Sequence, residues 1–223
     1  MITESIGWCG WCEVVEDCDV YESSIELFNP DNSRQHQNVP KDVLVAYNPR
    51  IGIRHIRYFA GPYELRKDGS SVIVQIDGAC RRNGTQYARG GWGVFFGPNS
   101  QYNSWSLLPP NAPHTSTFAE LYSLIIALEM IRDELPLYLE RVFIVSDSSY
   151  LVRAFTEYMS AWLDNWGRNA RGQRVAHWNF LLEIKEIIDN LTWSGDRNME
   201  IKFWHVPREQ NAAADALANR AFN

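Results

Sequence analysis

Four carboxylates carry the chemistry this sequence can do: Asp77, Glu120, Asp147 and Asp215. Asp77 follows Val72-Ile73-Val74-Gln75-Ile76, a run too short for a helix and rich in β-branched residues, which reads as a buried strand ended by the Asp-Gly pair. Asp147 follows a second such run, Val142-Phe143-Ile144-Val145-Ser146, while Glu120 falls early in an apolar helix and Asp215 in the last helix. A carboxylate at the end of an apolar strand is costly to bury alone. Gathering four is worse, because one like-charge pair about 4 Å apart costs on the order of 4 kcal/mol at an effective dielectric of ~20. Such a cluster either takes up protons or holds hard cations. Two divalent ions about 3.5–4 Å apart can activate a water and stabilise the departing oxygen of a phosphodiester. Magnesium prefers oxygen ligands, which suits a site of Asp and Glu without Cys or His.

Each acid also has a purely structural reading. Asp77 starts a turn, Thr117-x-x-Glu120 fits a capping box, Asp147 caps the next helix, and Asp215 favours a helix N-terminus through the dipole. Capping does not explain why two of the acids end apolar strands, and in open sheets ligands collect at strand ends that face a crevice.

The elements that must position these acids follow from patterning. Gly90 to Gly97 and Tyr102 to Leu107 read as strands joined by the turn Gly97-Pro98-Asn99, so with the first strand they predict an antiparallel meander. Leu121, Leu124, Ile125, Leu128 and Ile131 have helical spacing in a segment from Thr117 to Glu134 that stops before Pro136. Strand 142–146 follows, then a helix from Ser148 to Met159, a loop with Arg168, Arg171 and Arg174, a helix from Trp178 to Leu191, a strand from Met199 to His205 and an Ala-rich helix from Asn211 to Ala221. The predicted order is βββαβααβα, an α/β class.

With 223 residues and 45% apolar content, the chain has room for one domain of ordinary size and an appendage. No apolar run approaches the roughly 20 residues that cross a bilayer, and the first residues lack a cationic, apolar leader. The expectation is an intracellular protein of the nucleus or cytoplasm, not secreted, without membrane contact and monomeric. The net charge of −6 is uneven: residues 1–31 hold eight acids and no Lys or Arg, so the remainder is +2 and polyanion binding is allowed. The expected division is an acidic, Cys-containing extension and linker over 1–70 and a catalytic domain over 71–223. Asn29 to Asp42 reads as a linker or long loop, and Val43 to Tyr63 as short strands or coil packed on the main domain. The extension is expected to be dispensable for chemistry and to serve stability or a protein partner. Trp8-Cys9-Gly10-Trp11-Cys12 superficially resembles a thioredoxin redox motif but has only seven residues before it. Zinc at Cys9, Cys12, Cys18 and His36 is disfavoured for want of a second close ligand pair; reduced thiols packed beside tryptophans are expected.

The order of elements and acids resembles ribonuclease H, type 1 cellular branch, over roughly residues 72–221. The residues that carry the resemblance are Ile76-Asp77-Gly78-Ala79 with Asn83-Gly84, Thr115 followed by Ala119-Glu120, Val145-Ser146-Asp147-Ser148, and Trp204-His205-Val206-Pro207 leading to Ala214-Asp215-Ala216. The resemblance implies a mixed five-stranded sheet flanked by helices, with two Mg2+ ions (Mn2+ able to substitute) held by Asp77, Glu120, Asp147 and Asp215. It implies hydrolysis of the RNA strand of an RNA–DNA hybrid, leaving 5′-phosphate ends. Gly78 and Asn83 are then expected to read the 2′-hydroxyl, Trp162 and Trp166 to lie beside the DNA strand, and Thr115, Ser116, Arg168, Arg171 and Arg174 to meet the substrate, the arginines and Thr115 through phosphates. A helix-core role for the tryptophans and a solvated loop for the arginines are the competing readings.

Several positions depart from that pattern. Ser116-Thr117-Phe118 stands where the family has Asn-Gln-Arg, Pro113 replaces an arginine, and His177 replaces a phosphate-side asparagine. Val206-Pro207-Arg208-Glu209-Gln210-Asn211 runs straight into the last helix, without the mobile loop and its histidine. This resembles a short-loop sub-branch, in which Glu209 or water would assist proton delivery. The alternative is a weak or inactive module that binds nucleic acid or serves assembly. A 3′–5′ exonuclease is disfavoured, since that type needs a second acid where Ala79 stands.

Overall fold

The computed structural model describes residues 25–193 and 198–223. Cys9, Cys12 and Cys18, and with them the question of zinc, lie outside the described residues. In chain order the strands are β1 (Ile25–Leu27), β2 (Val45–Asn48), β3 (Ile53–Gly61), β4 (Glu64–Lys67), β5 (Ser71–Arg81), β6 (Arg89–Phe95), β7 (Ser104–Leu107), β8 (Arg141–Ser146) and β9 (Glu200–His205). The helices are α1 (Ser116–Asp133), α2 (Ser149–Arg153), α3 (Met159–Asp164), α4 (Trp178–Trp193) and α5 (Ala212–Arg220). A π-helical turn, Ala154–Tyr158, joins α2 to α3.

The sheet is organised around β5, the longest strand. Its first half pairs in parallel with β8, from Ser71 opposite Arg141 to Gln75 opposite Val145. From Gln75 to Arg81 it pairs antiparallel with β6, which pairs with β7. Beyond β8 come β9 and then β1, both parallel. The five predicted strands and the βββαβααβα order are therefore present, as a mixed sheet flanked by helices.

Two features differ from expectation. The Asp-Gly pair does not end its strand, because β6 supplies hydrogen-bond partners through Arg81. Residues 25–67 also widen the sheet to nine strands: β3 takes the edge of β5 that β6 leaves free, with Arg54 opposite Ile73, and pairs with β2 and β4. Of the two readings of Asn29 to Asp42 the long loop holds, packed on the sheet: Asn29 caps a 3-10 turn over Pro30–Asn32, and Pro30 and Val39 are buried.

The sheet buries both faces. On one, Val72, Val74 and Ile76 meet Leu121, Leu124, Leu128 and Ile131 of α1 together with Leu181, Ile184 and Ile188 of α4. On the other, Ile73, Phe143 and Val145 are covered by Phe28, Val39, Leu44 and Ile56. Full burial of a side chain such as Leu44 is worth about 1.5–3 kcal/mol, so residues 25–67 contribute substantially to one side of the sheet. Among the described residues no helix is long and apolar enough to cross a membrane.

Arg54 joins the added strands to the central ones. Its guanidinium donates to the Phe95 and Phe96 carbonyls at 3.0 and 3.2 Å and to Gln75 Oε1 at 2.8 Å, where β6 diverges. Burial lowers its pKa to about 10. Arg54→Ala strands those acceptors, and each buried unsatisfied group costs about 1–3 kcal/mol. The expected loss is roughly 2–4 kcal/mol in urea unfolding, and an unchanged midpoint would show that the edge is held by apolar packing alone.

Candidate active site

Strand alternation decides which residues of β5 face which helix. A Cβ added at Gly78 would overlap the Glu120 amide nitrogen and the Ala119 carbonyl carbon, so Gly78 faces α1, together with Val72, Val74 and Ile76. Asp77 faces the other way. Its cross-strand partner Gly93 lies under α5, where a Cβ would come within 2.5 Å of the Ala218 amide nitrogen and 2.7 Å of the Ala214 carbonyl oxygen. Two bare backbone positions thus let α1 and α5 approach from opposite faces. They bring Glu120, in the first turns of α1, and Asp215, in the first turn of α5, to the two sides of Asp77. Asp147 follows from register: Gln75 pairs with Val145, and Asp77 and Asp147 each lie two residues further along parallel strands.

The electrostatics report the same convergence. Burial, then Asp147, Asp215 and Glu120, raise the Asp77 pKa to about 7 against the one stabilising bond from the Gly78 amide at 2.7 Å. Burial, and then Asp147, raise the Glu120 pKa, opposed by a hydrogen bond from the Ser148 hydroxyl to Oε2 at 2.5 Å. Asp147 Oδ1 accepts from the Asn211 amide at 2.8 Å. Arg208 Nη2 stands 2.6 Å from Asp215 Oδ1, and Asn219 donates to Oδ2 at 3.1 Å.

Each acid is thus held by its own neighbour. Among the described residues no three His, Cys, Asp or Glu side chains are close enough together to hold a metal ion as they stand. The expected four-ligand shell is gathered electrostatically but not drawn into coordination. The donor set is nonetheless all oxygen, and Asp77 carries the signature of under-compensated negative charge, so these residues fit hard divalent cations.

Three partners were not legible in the acid pattern: Ser148, Asn211 and Arg208. Ser148, not Asp147, caps α2, and Thr115 caps α1 by accepting from the Phe118 amide at 3.1 Å, so the capping box from Thr117 to Glu120 is not formed. Asn211 looks like an N-cap but makes no cap bond. It is fully buried and donates to the Ile76 carbonyl at 3.0 Å as well as to Asp147.

The other candidates sort by element. Asn83 and Ser116 meet at 3.3 Å, from the β5–β6 turn and the start of α1. Trp162 is half-buried against Tyr158 and Tyr150, whereas Trp166 is 86% exposed on left-handed backbone, φ 53°. Arg168, Arg171 and Arg174 are exposed, and their loop is stiffened by an Arg168–Arg174 bridge and a bond from Arg168 to the Gly172 carbonyl at 2.8 Å. Phe118 and His177, both departures from the expected pattern, pack against each other at 5.1 Å. Glu209 is exposed in the turn Arg208–Gln210. His36 accepts or donates at 2.6 Å with the Ser33 hydroxyl.

A family model described as RNase H matches residues 69–223. Ribonuclease H1 of Rattus norvegicus is 28% identical over 180 residues, covering 76% of this chain and 59% of that protein. Ribonuclease H of Schizosaccharomyces pombe is 29% identical over 150 residues, 66% of this chain and 52% of that one. Ribonuclease H of Pseudomonas paraeruginosa is 28% identical over 156 residues, 69% and 94%. The chain therefore spans less than two thirds of the length of the two eukaryotic relatives. Among solved structures, LC9-RNase H1, a type 1 RNase H with the type 2 active-site motif, superposes with a TM-score of 0.52 at 22% identity, covering 68% of this chain and 71% of that one. A foamy viral protease-reverse transcriptase in complex with RNA/DNA hybrid gives 0.52 at 20% identity, over 67% and 19%. Both likenesses are of fold.

The clustering has a measurable sign. Asp77 holds its proton more tightly folded than unfolded, so without divalent ions stability falls as pH rises from about 4 to about 7 and is level above that. Asp77→Asn removes the penalty. In EDTA near pH 8 it is expected to be more stable by on the order of 2–4 kcal/mol, raising the thermal midpoint by roughly 5 °C or more, with the advantage gone near pH 4. Coincident melts at the higher pH would mean the acids do not feel one another.

Proposed function

The chain belongs to the RNase H family, and on that premise we propose that it hydrolyses the RNA strand of RNA–DNA hybrids, leaving 5′-phosphate and 3′-hydroxyl ends. The observation that carries this reading is Asp77 at the end of the parallel part of the sheet, where burial first, and then Asp147, Asp215 and Glu120, raise its pKa to about 7. The reading places the chain in the type 1 branch, in its short-loop form without the mobile-loop histidine. Residues 71–223 would be the catalytic domain and residues 1–70 an extension that serves stability or a protein partner.

Asp77, Glu120, Asp147 and Asp215 would hold two Mg2+ ions, for which Mn2+ can substitute. Such ions, when bound, polarise an attacking water and neutralise charge on the departing oxygen. The rest is the work of the chain. The Gly78 amide and the Asn211 amide each hold one oxygen of Asp77 and Asp147, leaving the second oxygen of each carboxylate without a side-chain partner. Ser148 does the same for Glu120. Arg208 offsets part of the negative charge from Asp215, Asp77 and Asp147, so the site can persist without cations. The leaving 3′ oxygen would take its proton from water across the exposed Arg208–Gln210 turn or from Glu209.

Substrate choice would rest on Asn83 and Ser116, which form one polar pair at the edge of the site, and on the Gly78 backbone, all directed at the 2′-hydroxyl. Trp166 is exposed enough to pack on the DNA strand, while Trp162, half-buried against Tyr158, would offer it a ring edge from the helix. Thr115, as the cap of α1, orients Ser116 and the first amides of the helix toward a phosphate. Arg168, Arg171 and Arg174 would contact phosphates on the DNA side.

A second reading is favoured by one observation: Asp215 is already paired with Arg208 and Asn219. A chain that kept that pairing would bind hybrid without cleaving it.

Purified protein with Mg2+ and an end-labelled hybrid separates the two. Cleavage of the RNA strand alone is expected, lost by a factor of about 10³ or more in Asp147→Asn; tight binding without turnover supports the second reading, and equal cleavage by the variant overturns the assignment of the chemistry to the quartet. Ser116→Ala together with Asn83→Ala is expected to raise KM about tenfold with kcat within about twofold, the effect of roughly one lost hydrogen bond of 1–1.5 kcal/mol. A fall in kcat at constant KM would place that pair in the chemistry instead.

A further inference from the structure

The face of the sheet that carries Asp77 continues into a surface that the proposed reading does not use. No acid occurs between Asp77 and Glu120 or after Asp215, although the whole chain is net −6. Within that acid-free sequence lie Arg81, Arg82, Arg89 and Arg220, all exposed. Arg81 and Arg89 are directly opposite each other across β5 and β6. Like charges facing each other across a ladder are destabilising unless an anion lies between or above them.

Three of these arginines are arranged on one side. Arg81 shares the face of Asp77 by strand alternation and lies over the Phe222 ring at 4.4 Å. Phe222 is seated there because Gly91 has no side chain; a Cβ at Gly91 would stand 3.2 Å from that ring and 2.9 Å from Ala221 Cβ. Arg220, at the end of α5, lies over Trp105 at 4.2 Å, and Trp105 is the partner of Gly93, which faces α5. Arg89 completes the group from the position opposite Arg81. Among the described residues none of the three has a carboxylate partner. Stacking on aromatic rings fixes the direction of two guanidinium planes while leaving their N–H groups free to donate.

The patch is continuous with the acid quartet. Four residues of extended strand separate Asp77 from Arg81, about 13 Å, or roughly four nucleotide steps along a duplex axis. On the helix side, Asp215 and Arg220 are little more than one turn apart.

We propose that Arg81, Arg89 and Arg220, held by Phe222 and Trp105, form a phosphate track that grips the nucleic acid beyond the acid quartet, on the α5 side of the sheet. The track is separate from Arg168, Arg171 and Arg174, which lie between α3 and α4. It rests on the proposed reading only for the identity of the nucleic acid. Two guanidinium groups fixed on rings, with a third cation opposite one of them, suit a backbone, whose charges repeat along one line. The inference adds an affinity site, not a catalytic one.

The test is the salt dependence of binding. Fluorescence anisotropy with a labelled RNA–DNA hybrid in EDTA, over a series of salt concentrations, gives the slope of log affinity against log salt. Replacing Arg81, Arg89 and Arg220 together by Gln is expected to reduce the magnitude of that slope by about 2–3 and to weaken binding roughly 10–100-fold at low salt. The triple Lys variant is expected to keep the slope. If the triple Gln variant does not fold, Arg89→Gln alone is expected to lower the slope by about 1. A slope and affinity unchanged from wild type overturn the proposal, as does a triple Gln variant that loses affinity for a polyglutamate peptide but not for hybrid, which would make the patch a protein-docking surface. Hybrid cleavage is scored separately. Cleavage with no change in slope sinks the track and leaves the nuclease reading; a changed slope without cleavage does the reverse.

Discussion

Backbone contact between the sheet and two helices is the constraint on which this structure depends. At Gly78 the first turns of α1 rest against β5, and at Gly93 the first turns of α5 rest against β6, with no room at either place for a methyl group. Helices packed on sheets through ordinary side chains would stand back by several ångströms, and Glu120 and Asp215 would then be too far from Asp77 to influence it. The glycines are needed here for close approach rather than for unusual backbone angles. Register supplies the third acid at no further cost, since parallel pairing of β5 and β8 puts Asp77 and Asp147 level, each two residues past its last pair, Gln75 with Val145.

What this proximity creates is a local excess of negative charge, and the chain answers each part of it differently. A backbone amide, a hydroxyl, a buried carboxamide and a guanidinium serve Asp77, Glu120, Asp147 and Asp215 in turn. Three of the four partners are neutral, so they orient an oxygen without removing its charge. Asp77 shows what is left over, with a pKa near 7 in a group surrounded by other acids. A fold selected for stability alone would place an apolar residue or an amide there. On the proposed reading, the penalty would be relieved when positive charge is brought to the site.

Much of this was legible in the sequence, for a physical reason. Buried strands and acids at their ends are local patterns, so β5, β8, α1 and the quartet could be read from adjacent residues. The contacts that hold the quartet are not local: Asn211 reaches Asp147 and Ile76 from far along the chain, and Arg54 reaches Phe95 and Phe96. Nothing in the neighbourhood of Asn211 distinguishes a buried bridge from an ordinary helix cap. The Asp-Gly pair misled for the same reason, because a strand ends where its partner stops and β6 does not stop at Asp77. Within residues 25–67 the apolar run from Val43 to Tyr63 was legible as short strands packed on the main domain, whereas its pairing with β5 was not, because Leu44 and Ile56 find Ile73, Phe143 and Val145 to cover only across distant sequence.

The departures at Phe118 and His177 are better understood together than singly. Phe118 sits against His177, Phe180 and Tyr122, so an aromatic cluster occupies the ground where amide and cationic side chains were expected to face a substrate. Exchanging polar readers for packed rings removes hydrogen-bond donors and adds burial, which shifts that edge of the site from recognition toward stability. On the proposed reading the lost contacts must be replaced, or hybrid would bind weakly. Charge is the means the chain has available: outside its first 31 residues it is net positive, and among the described residues the arginines at 81, 89 and 220 have no carboxylate partner. Recognition that moves from shaped hydrogen bonds to phosphate contacts becomes less selective and more dependent on salt. On the proposed reading, the polar pair Asn83 and Ser116 would then carry a larger share of the distinction between RNA and DNA than it would beside a full set of readers.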